Sequence, residues 1–286
     1  MGKHILVLCA CALGGIQAFA QGTTATTSNV TNTANAEIQA ASQKPKFKIG
    51  YLGILRGPGL NSNNFSQADS NGSSAEELEN RFRFLLGPNE NIDFGMEARL
   101  TAAASQEGMT VANGDYRLLA NLKHLVKKGP VDLTLTPRLR LPTSSVSRER
   151  NLLLGAELIT NIDLSVKNSN FSFNTGTTLQ QNFFKSADSN GNATSVIQPW
   201  FEVDYQFRDG LGAFASVYPE LVSQTGPTGS LLNDSNEIDL GANWEFFKGW
   251  TATPYISVEP VGMDASSVSS AARNMQFNLY LSGTFL

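Results

Sequence analysis

The chain has 286 residues, of which only 16% are charged, with 25 acidic against 21 basic side chains and two histidines. It is long enough for one large domain or two ordinary ones, and its mildly acidic balance argues against a nucleic-acid partner, whose phosphates call for a basic surface. Beyond the N-terminus no apolar run approaches the ~20 residues of a membrane-spanning helix.

At the N-terminus, Lys3 and His4 precede an apolar stretch from Ile5 to Ile16, and Ala18-Phe19-Ala20 follows. This order of charged, apolar and small residues is that of a secretory signal, so residues 1–20 are expected to be removed before Gln21. Both cysteines, Cys9 and Cys11, fall inside it, which leaves the exported chain without disulfide or thiolate chemistry. Acylation of Cys11 is disfavoured, because Cys9 stands where lipoprotein signals carry a small residue. Residues 21–46 are rich in Thr, Ala, Asn and Ser and bury too little to fold alone. They are expected to form a low-complexity periplasmic tail, with a short plugging helix at 36–42 left open as the alternative.

From residue 47 to 286 the period is two almost throughout. Twelve strands are predicted: 47–56, 78–86, 92–101, 116–126, 131–141, 150–166, 171–183, 196–207, 211–221, 237–247, 250–261 and 274–286. The sixth is longer than the ~9 to 11 residues of one span; we read it as continuing above the membrane rather than broken by a bulge near Asn161. Connections alternate between long (57–77, 102–115, 142–149, 184–195, 222–236, 262–273) and short. The short ones, GPNEN from Gly87, KKGP from Lys127, KNSN from Lys167, RDG from Arg208 and KG at Lys248, carry hairpin chemistry. An up-and-down sheet with long loops at one end and tight turns at the other is the layout of a bacterial outer-membrane barrel. The fold class is therefore all-β: a closed antiparallel up-and-down transmembrane β-barrel of about 12 strands. An even strand number places both ends of the barrel at the tight-turn, periplasmic side.

Parity separates the two faces. In IDFGMEARLT at 92–101, Ile92, Phe94, Met96, Ala98 and Leu100 share one face, and Asp93, Glu97 and Arg99 the other. Across the strands the apolar face includes Phe82, Phe84, Leu118, Leu122, Leu133, Leu135, Leu152, Leu154, Phe201, Val203, Leu240, Trp244, Ile256, Val258, Phe277 and Leu281, with no Asp, Glu, Lys or Arg. A charge at the bilayer midplane costs about 2 to 4 kcal/mol, so a charge-free band is what lipid contact requires.

The chain ends NMQFNLYLSGTFL, with Phe277, Leu279, Leu281, Gly283 and Phe285 alternating up to the penultimate position. This resembles the C-terminal strand of the Gram-negative outer-membrane β-barrel proteins, a porin-like family, although that family usually ends on the aromatic itself. The resemblance implies outer-membrane localisation, recognition by the barrel assembly machinery through this strand, and contact with outer-membrane lipid and lipopolysaccharide.

Charges on the inner face sort by sign. The first five strands direct Lys48, Arg56, Arg81, Arg83, Arg99, Arg117, Lys123, Arg138 and Arg140 inward, against Asp93, Glu97 and Asp132. Later strands direct Glu157, Asp163, Glu202, Asp204, Glu220, Asp239, Glu245 and Glu259 inward, against Arg208. Neighbouring strands are neighbours in the barrel, so a basic wall faces an acidic one and the two nearly cancel. The expected pore-lining set is Lys48, Arg81, Arg83, Arg99, Arg117, Arg138 and Arg140 on one side and Glu157, Glu202, Asp204, Asp239, Glu245 and Glu259 on the other. Polar Asn174, Thr178, Gln180, Gln198, Asn243, Thr253 and Asn278 suit water, while Trp200, Phe214, Tyr218, Tyr255 and Tyr280 add inward aromatic faces that read as filling and girdle residues.

The function expected is a porin-like passive channel for small hydrophilic solutes, the walls orienting dipolar or zwitterionic ones; the alternative is a closed barrel with a structural or surface-interaction role. No catalytic residue, cofactor or metal site is expected. His124, the one histidine outside the signal, falls by parity on the lipid side near a tight turn, away from the loop-end constellations of barrel hydrolases. Two loops share ADSNG, at Ala68 and Ala187, but the glycine comes too early for a calcium loop and no distal Glu follows at the required spacing, so both read as turns.

Overall fold

The computed structural model describes residues 46–59, 76–105, 108–185, 192–224, 231–260 and 275–285. The expected signal, nearly all of the tail and both ADSNG loops lie outside the described residues. In chain order the elements are β1 (Lys46–Gly59), β2 (Glu76–Gly87), β3 (Ile92–Ser105), β4 (Gly108–Asn113), β5 (Tyr116–Lys128), β6 (Val131–Leu141), α1 (Ser145–Glu149), β7 (Leu152–Ser165) and β8 (Phe171–Phe184). Then follow β9 (Ala193–Arg208), β10 (Leu211–Gln224), β11 (Leu231–Phe247), β12 (Trp250–Val258) and β13 (Gln276–Thr284).

Consecutive strands pair antiparallel except β4 and β5, since β5 pairs with β3, and β1 closes on β13 in register from Gly50↔Thr284 to Arg56↔Asn278. Closure pairs every barrel strand on both sides, which is the condition for placing β-structure in hydrocarbon. Twelve strands make the barrel. The thirteenth, β4, folds back on the end of β3 from Leu100↔Asn113 to Ser105↔Gly108, while β5 pairs with β3 only up to Glu97↔Arg117. It forms a ribbon at the long-loop end, inside a connection expected to be loop. The connection after β6 carries the short helix α1, also unforeseen.

β7 runs without a break past Asn161; its only ladder irregularity lies between Leu152 and Leu154. β9 and β11 are longer still, at 16 and 17 residues, so overshooting the ~9 to 11 needed for one span is common in this barrel. At the tight-turn end the chain reverses through positive-φ residues, Gly129 at 61°, Gly210 at 71° and Gly249 at 77°. Glycine takes this conformation without a Cβ clash.

Ladder registers place the apolar set outward except at Leu152, whose outward assignment is corrected: the extra residue between Leu152 and Leu154 shifts the alternation, so Leu152 is buried at 5% exposure and Leu153 is exposed instead. Among the described side chains no Asp, Glu, Lys or Arg points out between the rims, and Leu240 is 60% exposed. Aromatic pairs ring the tight-turn end: Phe171 with Tyr205 at 4.8 Å between centroids, Trp250 with Phe285 at 4.9 Å, and Trp244 with Phe246 at 5.8 Å. This is the girdle that sits at a membrane–water interface.

A second position departs from parity. Between Leu122↔Leu135 and Val126↔Leu133, three residues of β5 face only Thr134 of β6. The bulge puts His124 at φ 52° and swings its ring to Asp132, with Nδ1 2.8 Å from a carboxylate oxygen. The lipid-facing assignment of His124 is therefore corrected: a bulge resets the alternation that the assignment assumed.

The faces set the first prediction. Leu240→Arg exposes a guanidinium to lipid, whereas Asn243→Arg adds one to the lumenal face, so only the former should cost assembly about 2 to 4 kcal/mol. Folded yield in lipid vesicles measures this, and equal yields of the two variants would contradict the assignment of faces.

Candidate functional site: the charged lumen

Strand register decides which inward charges meet. Glu97 on β3 lies directly opposite Arg83 of β2 on one side and Arg117 of β5 on the other. Its oxygens are 2.7 Å from Arg83 and 3.5 Å from Arg117, with Arg99 at 3.8 Å, and no part of its side chain reaches solvent. Glu79 sits similarly between Arg81 at 2.5 Å and Arg99 at 2.7 Å, with Arg56 at 3.9 Å. Glu157 meets Arg117 at 3.1 Å and Arg138 at 3.9 Å. Five arginines, 81, 83, 99, 117 and 138, thus form a continuous ladder wrapped around three buried carboxylates. The stems and guanidinium planes cover the acids, while the heads remain partly open to the lumen.

Below and above this ladder lie two more clusters. At the tight-turn end Asp93 is bound by Lys48, at 3.0 Å, and by Lys123. At the long-loop end Asp115 accepts from Arg140 Nε at 2.6 Å, from the Ser144 N–H at 2.8 Å and from the Ser147 hydroxyl. Ser144 also caps α1, accepting from the Ser147 N–H at 3.1 Å, so one carboxylate ties the strand rim to the helix. Burial would raise the Asp115 pKa, but hydrogen bonds from Ser147, Ser144 and Arg140 outweigh it and bring it down to about 2.

The opposite half is built differently. Around it a row of facing residues runs Asp163, Asn174, Glu202, Ser216, Asp239, Ser257, from β7 to β12. Glu202, Asp204, Glu237, Asp239 and Glu245 have no ion pair with Lys or Arg among the described residues; Glu202 and Asp204 share a side-chain hydrogen bond, as do Glu237 and Asp239, and neutral groups donate to others, such as Tyr218 Oη to Glu202 at 3.4 Å and the Gly249 N–H to Glu245 at 2.9 Å. The inward aromatics lie on this side: Trp200 donates to Asn174 at 2.7 Å, and Tyr255 stacks on Tyr280 at 5.3 Å. Trp200 passes over Gly176, where a Cβ would come within 2.5 Å of the indole, and Gly241 makes the same room beneath Phe214 and Tyr255.

The expected pore-lining residues therefore fall into two groups. Arg81, Arg83, Arg99, Arg117 and Arg138 are joined in one ladder, with Lys48 and Arg140 in the flanking clusters. Glu202, Asp204, Asp239 and Glu245 share the other half. Glu157, counted with the acidic wall, instead belongs to the arginine side because β7 pairs with β6 at Arg138↔Glu157. Glu259 lies past the end of β12 and is exposed. Sequence reading did not pick out Glu77, Glu79, Asp115 and Glu237. Glu77 and Glu79 share the parity of Arg81, and Glu237 that of Asp239, so alternation alone would have found them; nothing local marked Asp115.

The count changes accordingly. Among the described residues, nine cations of the basic half hold six carboxylates, Glu77, Glu79, Asp93, Glu97, Asp115 and Glu157. The other half carries six carboxylates, Asp163, Glu202, Asp204, Glu237, Asp239 and Glu245, without a paired cation. Ion pairs among the described residues all run sideways, linking strands no more than two places apart around the barrel.

No protein-family model and no curated protein sequence matches the chain. Among solved structures it is similar to an outer membrane channel from Pseudomonas putida F1, with a TM-score of 0.55 at 14% identity over 88% of this chain and 100% of that one. The KdgM porin gives 0.47 at 10% identity over 84% of this chain and 99% of that one, and Salmonella typhi OmpF 0.41 at 9% over 87% and 99%. The likeness to the first establishes the fold: a closed antiparallel β-barrel of the kind seen in that outer membrane channel.

The ladder sets a second prediction. Glu97→Gln leaves Arg83, Arg99 and Arg117 facing one another without their shared counter-ion. Removing one partner of a buried pair costs about 3 to 5 kcal/mol, and the partial exposure of the arginines points to the lower end. Urea unfolding of the refolded barrel should show this loss, and Glu245→Gln, on the uncompensated wall, should show none. Equal stability of wild type and Glu97→Gln would contradict the role given to the ladder.

Proposed function

We propose that the protein is a passive, porin-like diffusion channel of the outer membrane for small hydrophilic solutes, with its long loops outside the cell. The observation that carries this reading is the sideways pairing of the lumenal charges. Two walls of unlike net charge face each other around the lumen, and no ion pair among the described residues bridges them. A packed interior would bring opposite charges together across the barrel, because each buried charge needs a partner. Unlike walls suit solutes that carry both signs, a cationic group running along Glu202, Asp204 and Asp239 while an anionic group follows the arginines. No nucleic acid partner is implied.

The second reading, a closed barrel with a structural or surface-interaction role, is favoured by the burial of the inward-facing Trp200, Tyr255 and Arg138. Conductance decides between them. Purified protein in planar bilayers should give discrete current steps; their absence would retire the channel in favour of the closed barrel.

The charge count refines the expectation of near-cancelling walls. Because the basic half is largely neutralised from within and the acidic half is not, the wild-type channel should lean toward cations in a salt gradient near ~0.1 M, where the Debye length is ~10 Å. Joint substitution of Glu202→Gln, Asp204→Asn and Glu245→Gln should move the reversal potential toward anions, with the effect fading near ~1 M salt. An anion preference in the wild type, or no shift on substitution, would contradict this electrostatic account.

A further inference from the structure

At the long-loop end a cavity of about 250 Å³ opens where β3, β4, β5, β6 and α1 converge. Its lining includes Arg99, Thr101, Asn113, Asp115, Arg117 and Arg140. Three guanidinium groups thus face a single carboxylate. Asp115 has little left to offer a further cation: Oδ1 accepts from the Ser144 N–H, and Oδ2 from both Arg140 and Ser147. Arg117 reaches Glu97 and Glu157 through its two terminal nitrogens, and its buried Nε has no hydrogen-bond partner. The lining therefore carries three guanidinium groups and one carboxylate, with the acids that hold Arg99 and Arg117, namely Glu79, Glu97 and Glu157, buried outside it, and neutral polar side chains from Thr101 and Asn113 on its flank.

We propose that this cavity is a binding station at the mouth of the lumen for the carboxylate group of a small organic acid or amino acid. The inference rests on the channel reading and specifies its solute class. Guanidinium forks match the planar carboxylate through two parallel hydrogen bonds. The cavity is half open and roomy enough for a solute of a few carbons. Arg140 is held at the rim by Asp115 and Ser147, and Arg117 by Glu97 and Glu157, so both are oriented before any solute arrives, which lowers the ordering cost of binding. From this station Arg117 leads into the ladder through Glu97 to Arg83, giving an anionic group a continuous run of guanidinium partners along one wall.

The test is isothermal titration of the full chain, folded in detergent, with succinate, using inorganic phosphate and sucrose as comparison solutes. Saturable succinate binding is expected, absent for sucrose and weakened at about 0.5 M salt by screening. Arg140→Gln should weaken it about tenfold, as expected for the loss of one charge-assisted contact. Because that variant also frees Asp115 and α1, Arg140→Lys is the companion: it keeps the charge and loses the fork, and should bind with intermediate affinity. Asp204→Asn, on the far wall, should bind as the wild type does. No saturable succinate binding, or equal affinity in wild type and Arg140→Gln, would overturn the site, and phosphate binding more tightly than succinate would overturn the assignment to carboxylates. Titration and conductance separate the two claims: a protein that conducts but does not bind succinate loses this site and keeps the channel, and one that binds without conducting keeps the site and loses the channel.

Discussion

A charge cannot face hydrocarbon, and the rest of this molecule follows from that constraint. Once the outward face of twelve strands is closed to Asp, Glu, Lys and Arg, the charges of the spanning region must turn inward, where they need partners or water. Register between neighbouring strands supplies the partners on one half. Arg83↔Glu97↔Arg117 and Arg138↔Glu157 are direct cross-strand neighbours, so the same ladder that satisfies the backbone also neutralises the side chains. The remaining half has carboxylates in register with Ser and Asn instead, without a paired Lys or Arg among the described residues.

This asymmetry links fold to function. A barrel whose inner charges paired across its axis would be a plug held by its own ion pairs; pairing along the wall puts no such tie across the axis among the described residues. The basic half combines rigidity with a modest residual positive charge, because its arginines are held by acids that they cover. The acidic half has no such internal compensation and carries the aromatic faces. Glycines at 176 and 241 let those rings lie close to the wall instead of projecting into the lumen. At the long-loop end, Asp115 joins β5, β6 and α1, which shapes the mouth through which solutes would enter.

Most of the fold was legible in the sequence because the bilayer enforces strict alternation, and alternation is local. The twelve barrel strands, the five tight turns and the inward set of arginines all follow from it. β4 was not read, since GMTVAN is six residues lying within what looked like loop, and its apolar Met109 and Val111 are exposed above the barrel. α1 is too short to leave a helical period. The bulge at His124 has no glycine or proline to announce it, and its two extra residues restore parity by Val126↔Leu133, so only the residues inside it leave the alternation. Above all, parity tells which face a charge is on but not the stagger between strands. That is why the basic wall was recognised while its wrapping around Glu79, Glu97 and Glu157 was not.

The central claim, that the lumen is hydrated along its length while the outer face is not, is tested most directly by cysteine accessibility. The only native cysteines, Cys9 and Cys11, lie inside the expected signal, so a single introduced thiol reports cleanly. Gln180→Cys and Thr253→Cys lie on the inner face, and Ala252→Cys on the outer face one residue from Thr253. In protein reconstituted into lipid vesicles, a charged, membrane-impermeant thiol reagent should modify the two lumenal cysteines rapidly and leave Ala252→Cys untouched. Lumenal thiols as protected as the lipid-facing one would contradict a water-filled barrel.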